Sequence, residues 1–466
     1  MRNVKASEAA GWCGGKLYGP DADLCRVWRS DSREVGPGEA FVALRGARTD
    51  GHLYLPQVIK QGASLLLLEE ESLDRLGRSG AGHENVSVIA VPDTTAALAR
   101  IAEMYLATVA PRVVGITGSV GKTTTRELSV AVLRRKYKVH SAIRSYNTVI
   151  GCSLTALSMP ADTDILVLEL GTNHFGEIRE MVSLFPPDTA VITEVAPAHL
   201  EGFGSVEGVL RAKTEICLSP KLKCMIFNAD NALLHSYMSA RRFDSQVSVG
   251  RAPDAGLRAV SEKILFDEAG ARFEAEYEPQ GSGSIAASVA LFGLQHVYNV
   301  GYAIALGRSF GVPDEEIKAA LAESRPLGGR GVCKKIGPDS WLVDEAYNAN
   351  PSSLGAALDN VAAVSENGAR YDMYAVLGGM RELGKDSAVW HEKMLARTAA
   401  FRKVLLLGAE WGSLELPANA KLCASLDEAA ELALRLDLSR GVLLVKGSNS
   451  YGLRKLVELF AKEPAK

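Results

Sequence analysis

Apolar residues along this chain gather in short, β-branched runs, each followed by a polar loop and then by a stretch with helical spacing. "RVVGIT" from Arg112, "DILVLELG" ending at Gly171 and "DTAVITEV" ending at Val195 are runs of this kind. Strands buried on both faces that alternate with helices predict a mostly parallel sheet covered on both sides. The pattern divides the chain into three sections. In the first, residues 1–108, short strands are punctuated by turns, with "AFVAL" after Gly36-Pro37-Gly38 as a buried strand. "LPQVIKQGASLLLLEE" then reads as helix, turn and strand, and "TTAALARIAEMYLATV" as an amphipathic helix closed by Pro111. The second section, 109–325, runs from "RVVGIT" through the helix "VYNVGYAIALGRSFG" to a boundary near Ser324. The third, 326–466, begins within "RPLGGRG". It offers "SWLVDEAYNANP", "YDMYAVLGGM", "RKVLLLGAE" and "GVLLVKGSNS", each a strand running into a loop, with helices such as "SSLGAALDNVAAV" between them. The expected fold class is α/β in three domains: a small N-terminal α/β domain, a central P-loop domain on a parallel sheet, and a C-terminal Rossmann-like domain.

Composition narrows the possible partners. A 466-residue chain with 47% hydrophobic and 23% charged residues has ample core, and 52 basic against 55 acidic side chains leave a net charge of -3. Neither nucleic acid nor an anionic membrane is expected as a partner. The seven cysteines lie at 13, 25, 152, 217, 224, 333 and 423, with no C-x-x-C spacing, and read as reduced thiols of a cytoplasmic protein. "MRNVKASEAAGWCGG" holds no apolar run long enough for a signal peptide, and no later segment approaches membrane-span length.

The strongest chemical signal follows "VVGIT". Gly118, Ser119, Val120, Gly121, Lys122, Thr123 and Thr124 lead straight into a helix. Glycines let backbone N–H groups converge on phosphate oxygens, and the helix N-terminus adds its dipole. Lys122 can reach the β- and γ-phosphates, and the Thr123 hydroxyl can sit on Mg²⁺. The strict P-loop has a glycine where this chain has Ile116, so the match is to the variant T-G-x-x-G-K-T. Further along, Glu169 ends a buried strand, where open α/β sheets place their ligands, and an acid there can hold Mg²⁺. His199 lies on the loop after the next strand. Lys213 in "RAKTEI" reads by itself as a solvated helix lysine; only a neutral amine that had captured CO₂ could bridge cations. "RSYNTVIG", Arg144 to Gly151, is placed where a substrate would cross the top of the sheet.

Taken together, T-G-x-x-G-K-T, "ELGTNHFGEI", "AHLEGF", "AKTEI", "YNANP" and "KGS" resemble, in this order, the Mur ligase family. The N-terminal "SDSREVGPGEAFVALRGARTDGH" resembles the uridine-nucleotide-binding domain of the branch that extends UDP-N-acetylmuramoyl-tripeptide with D-alanyl-D-alanine. The resemblance runs over essentially the whole chain. It implies an ATP-dependent amide ligase, acting in the cytoplasm as a monomer on those two substrates, through an acyl phosphate and two Mg²⁺ ions. Thr123, Glu169, His199 and a carbamoylated Lys213 would hold the metals, with Lys122 on the γ-phosphate. Asn299 would contact adenine, Arg330 the phosphates, and Glu345 and Asn348 the ribose side. Ser30, Asp31, Ser32 and Arg33 would face the uridine diphosphate, and Asn147, Asn173 and His174 the muramyl peptide. The acceptor dipeptide would dock near Arg381, Lys446, Ser448 and Asn449.

The chain also departs from the family pattern. N-N-[DE]-I-G reads Asn147-Thr148-Val149-Ile150-Gly151, the H-N ahead of the adenine asparagine reads Gln295-His296, G-D-M-x-E-L-G has Gly379 for Asp, and K-G-S-R ends in Asn449. The last two fall where the acceptor docks, which leaves D-alanyl-D-alanine, D-alanyl-D-serine and D-alanyl-D-lactate open. The rival families lack support in the residues. A folylpolyglutamate synthase begins close to its P-loop, the ligase that adds diaminopimelate or lysine carries D-N-P-R, and a P-loop switch or motor would carry N-K-x-D.

Overall fold

The computed structural model describes residues 4–462, apart from 26, 47–48, 79–84, 143–144 and 282. Ala47 and Arg48 of the N-terminal motif, Arg144 of "RSYNTVIG" and Ser282 lie outside the described residues. Within them the strands form three sheets.

The first sheet comprises β1 (Lys16–Tyr18), β2 (Trp28–Arg29), β3 (Ala40–Val42), β4 (Leu65–Glu69) and β5 (Ser87–Val91), in the order β1-β5-β4-β3-β2. Only β1 runs antiparallel to its neighbour. The helix Thr94–Val109 follows, with the Asp93 carboxylate accepting from the amides of Thr95 and Ala96 at 2.7 and 3.0 Å. Its apolar face, including Leu98 and Ile101, joins the first sheet to the central domain in one continuous hydrophobic cluster.

The central sheet contains β6 (Arg112–Thr117), β7 (Val139–Ser141), β8 (Ile165–Glu169), β9 (Thr189–Ile192), β10 (Cys224–Asn228), β11 (Ser245–Gly250), β12 (Leu257–Asp267), β13 (Gly270–Pro279) and β14 (Ile285–Val289), ordered β14-β13-β12-β11-β10-β9-β6-β8-β7. The half from β7 to β11 is parallel, as the apolar runs predict. β6 sits between β8 and β9, so the chain changes direction across the sheet at the strand that carries the glycine-rich loop. Crevices of α/β sheets open at such points.

The other half was not anticipated. β12, β13 and β14 form an antiparallel extension, and β12 buries alternate residues only lightly. β13, in "RFEAEYE", alternates apolar with charged residues, the signature of a half-exposed strand, which a search for buried runs passes over.

The third sheet holds β15 (Val332–Gly337), β16 (Ser340–Glu345), β17 (Asp372–Gly378), β18 (Lys403–Leu407), β19 (Ala420–Cys423) and β20 (Gly441–Lys446), in the order β15-β16-β20-β17-β18-β19. All pairings are parallel except that of the edge strand β15. The tip of the β12–β13 hairpin packs on this sheet: Phe266 stacks on Trp341 with ring centroids 4.6 Å apart.

Candidate active site

The glycine-rich loop closes over the end of β6 because nothing larger fits. Gly118 has φ +143°, and a Cβ there would lie 2.1 Å from the Thr193 hydroxyl. That hydroxyl donates to the Val120 carbonyl at 2.5 Å, and the Ser119 amide donates to the Glu194 carbonyl at 2.8 Å, so β9 fixes the loop from below. The helix Lys122–Leu133 starts at once, leaving its first amides aimed at the crevice. Lys122 Nζ donates to the Gly118 carbonyl at 2.7 Å. Burial holds its ammonium below the usual lysine range; the Glu169 carboxylate opposes the shift and the Arg330 guanidinium adds to it.

Glu169, buried at the end of β8, accepts from Thr123 Oγ1 at 2.8 Å and from Asn147 Nδ2 at 3.3 Å. Arg126 lies behind it, fully buried, with Nη1 at 3.6 Å from the carboxylate. Among the described residues no three His, Cys, Asp or Glu side chains converge as a ready-made metal cluster. A hydroxyl and a carboxylate at hydrogen-bond distance nevertheless suit a hard, oxygen-seeking cation that keeps waters and takes phosphate oxygens, as Mg²⁺ does. His199 lines the same cleft at φ +52°, an uncommon backbone conformation for a residue with a side chain. Its Nδ1 is in ion-pair contact with Glu382 of the third domain, itself at φ +64°. Burial lowers the His199 imidazole, Glu382 counters this, and Lys213 and Lys122 reinforce it.

Lys213 differs from its reading as a solvated residue. It closes the helix Val206–Lys213 with 1% of its surface exposed, below the crevice rather than in its lining. Burial drives its ammonium well below the ordinary range, the Lys122 charge adds to this, and Glu177, Glu169 and Glu215 oppose it. The neutral amine is therefore favoured at this position.

The third domain supplies the facing wall. Arg330 Nη2 and the Tyr347 hydroxyl both donate to Ser145 Oγ, at 3.3 and 3.2 Å, and the guanidinium lies 3.7 Å over the Tyr347 ring. Lys446 Nζ reaches Glu345 Oε2 and the Asn348 carbonyl, each at 3.1 Å. Arg381 Nη1 sits 2.8 Å from Glu410 Oε1. Between the walls lies a cleft of about 970 Å³, ample for a nucleotide and the end of a peptide.

Most of the residues singled out from sequence line this cleft: Ser119 to Thr124, Glu169, His199, Asn147, Asn173, Asn299, Arg330, Glu345, Asn348, Arg381, Lys446 and Ser448. Asn299 does so with its amide engaged, the oxygen accepting from Thr125 Oγ1 at 3.0 Å and the nitrogen 3.0 Å from His296 Nδ1. Gly118, Lys213, His174 and Asn449 are outside the lining. His174 is exposed and pairs with Glu177 at 3.6 Å. Ser30, Asp31, Ser32 and Arg33 form a separate turn on the first domain, where Arg33 clamps Asp31 at 2.6 Å. Sequence reasoning missed Ser145, Glu194, Tyr298, Tyr347 and Glu382, all of which line the cleft. Ser145 in "RSYNTVIG", Tyr347 in "YNANP" and Glu382 beside Arg381 in "GGMRELG" lie in motifs whose signal could have found them.

Known proteins are similar to this chain in sequence and fold. The Mur ligase family catalytic domain model matches residues 28–106, the Mur ligase middle domain 116–307, and the Mur ligase glutamate ligase domain 333–449. The UDP-N-acetylmuramoyl-tripeptide–D-alanyl-D-alanine ligase of Escherichia coli is 31% identical, over 98% of both chains. The Bacillus subtilis protein of the same name is 33% identical over 78% of this chain and 75% of its own. A crystal structure of MurF from Acinetobacter baumannii superposes with a TM-score of 0.83 at 23% identity, over 99% of each chain. The Thermotoga maritima MurF ligase, solved in complex with ADP, gives 0.78 at 26% identity over 94% of this chain and 98% of its own.

Proposed function

The chain belongs to the Mur ligase family, and from that premise we propose that it joins D-alanyl-D-alanine to UDP-N-acetylmuramoyl-tripeptide in an ATP-driven step of peptidoglycan precursor synthesis. The observation that carries this reading is the convergence on one cleft of the phosphate loop, the Thr123–Glu169 oxygen pair and two third-domain guanidiniums.

A carboxylate does not condense with an amine unaided, because its oxygen is a poor leaving group. A peptide carboxylate oxygen therefore attacks the γ-phosphorus of ATP, and the bond to the β-bridging oxygen breaks, with ADP taking the electron pair. The dipeptide amine then attacks the acyl carbon, phosphate leaves with the C–O electrons, and the amine proton passes to solvent or a base. Positioning and charge neutralisation carry the first step. Lys122 and the helix amides hold the β- and γ-phosphates. Arg330, anchored on Ser145 and Tyr347, meets the transferring group from the other wall. Asn299 sits at the base end of the nucleotide, and Glu345 and Asn348 at its ribose side. Asn147, Asn173 and His174 attend the muramyl peptide, and Ser30 to Arg33 the uridine diphosphate.

Thr123 and Glu169 would hold Mg²⁺, with His199 and Lys213 serving a second ion; bound there, the metal neutralises charge between phosphate and carboxylate. Burial pushes the Lys213 ammonium well below the ordinary lysine range, and the neutral amine is the form that adds CO₂, which supports carbamoylation there. Free thiols at all seven cysteines, together with a nucleotide-linked substrate, support a cytoplasmic setting.

Purified protein with Mg-ATP should release phosphate only when the UDP-linked tripeptide and the dipeptide are both present. With ¹⁸O in the tripeptide's terminal carboxylate, one labelled oxygen should appear in the phosphate. Phosphate release indifferent to the tripeptide, or phosphate without label, would overturn the reading.

A further inference from the structure

The loops after β17, β18 and β20 meet at the carboxyl ends of parallel strands, and three side chains there form a unit the reaction above does not use. Glu410, on the turn after β18, faces Arg381 at 2.8 Å and accepts from the Tyr451 hydroxyl. Arg381 also lies over the Tyr451 ring, with Cζ 5.1 Å from the centroid. Two glycines make room for this unit. A Cβ on Gly379 would come within 2.5 Å of Glu410 Oε2, and one on Gly408 within 2.3 Å of the Tyr451 hydroxyl. The space beside Gly379 is thus filled by a carboxylate delivered from elsewhere in the fold.

The three groups differ in exposure. The Glu410 side chain is 13% exposed while that of Arg381 is 55% exposed, and Arg381 lines the cleft. Lys446, another cation on this wall, is almost fully buried and already holds Glu345. Burial and the neighbouring Glu410 carboxylate push the Tyr451 phenol up to about 12, so it remains a donor at neutral pH. Arginine has five N–H donors in a planar fork. Glu410 pairs with Nη1 while Arg381 remains exposed on the cleft lining, so the fork has donors left to match a carboxylate.

We infer that Glu410 and Tyr451 are positioning residues that hold Arg381 as the receptor for the free carboxylate of the incoming dipeptide. The inference rests on the ligase reading and deepens it. The clamp recognises a group common to D-alanyl-D-alanine, D-alanyl-D-serine and D-alanyl-D-lactate, so it selects for a terminal carboxylate and not for the residue that bears it.

Steady-state kinetics with the dipeptide and with its C-terminal amide test the inference. Arg381→Ala should raise KM for D-alanyl-D-alanine about a hundredfold, and Glu410→Gln and Tyr451→Phe about tenfold each. KM for ATP and for the UDP-linked tripeptide should stay within about twofold. With the dipeptide amide, wild type and all three variants should converge on one weak KM. Equal penalties with acid and amide, or an unchanged or lower KM for the acid in Glu410→Gln, would overturn the clamp. A wild-type protein that turns over no dipeptide at all would instead reject the ligase reading. Circular dichroism and the ATP KM separate misfolding from lost recognition, and Arg381→Lys, which keeps the charge but not the fork, should recover only part of the loss.

Discussion

His296 shows how strongly single residues are constrained around the phosphate loop. It is buried at the start of the helix His296–Ser309, with Nδ1 3.0 Å from Asn299 Nδ2, and burial lowers its imidazole to about 4. In the unfolded chain the same group titrates near 6.5. Between those values the unfolded chain binds a proton that the folded chain refuses, so stability falls as the pH falls through this window. Above the unfolded value the contribution is complete; by pH 5 about 2 kcal/mol is lost. Urea unfolding at pH 7 and pH 5 checks this: His296→Gln should lose about 2 kcal/mol less than wild type over that interval. Identical losses in the two proteins would show that the imidazole is protonated in the folded state. Lys213 follows the same charge logic: its neighbours in sequence read as solvated helix, and only the tertiary fold, by sealing it at 1% exposure, pushes its ammonium well below the ordinary lysine range.

At the scale of elements, the β12–β13 hairpin sets the position of the third domain. Phe266 near its tip contacts Trp341, Tyr371 and Phe292, with centroids 4.6, 6.0 and 6.2 Å away, and Glu268 pairs with Lys335 of β15 at 2.6 Å. Phe266→Ala should weaken this joint by about 2 kcal/mol, roughly thirtyfold in local opening. Hydrogen exchange should then quicken in β15 and β16 and remain unchanged in β6; equal exchange in all three would mean that the hairpin is not the joint. This element was also the least legible in the sequence. The phosphate loop, Glu169 and the "YNANP" loop could be read because each is a local strand-to-loop signal with one chemical purpose. The hairpin could not, because its alternating residues resemble an exposed edge until the third sheet arrives to cover its tip. Glu382 beside His199 and Glu410 beside Gly379 were illegible for the same reason: each partner lies far away in sequence, and only the folded chain brings the two together.

At the scale of the molecule, the three domains are joined by unlike means. Trp28, Leu67 and Ile89 of the first domain share one apolar cluster with Leu154 and Met181 of the central domain, through the helix Thr94–Val109. A dry joint of this kind does not open without losing burial. One of the third domain's cores takes in Ala271 and Phe292 of the central domain, with Ile264 and Phe266 packed against it, and a set of polar contacts completes the joint. Asn360 bridges Leu294 and Gln295, Arg330 and Tyr347 reach Ser145, and Glu382 reaches His199. Polar contacts across a wet cleft exchange for water at little net cost. The first two domains are therefore expected to move as one body and the third to turn about the joint at the hairpin, with a nucleotide that touches both walls selecting the closed arrangement. Spin labels at the exposed positions Lys60, Arg242 and Glu431 report on the three domains. The distance distribution from 242 to 431 should narrow and shift when a non-hydrolysable ATP analogue, Mg²⁺ and the UDP-linked tripeptide are added, while that from 60 to 242 stays fixed. A 60–242 distribution that moved as much would mean that the shared apolar cluster does not bind the first two domains into one body, and that closure involves all three.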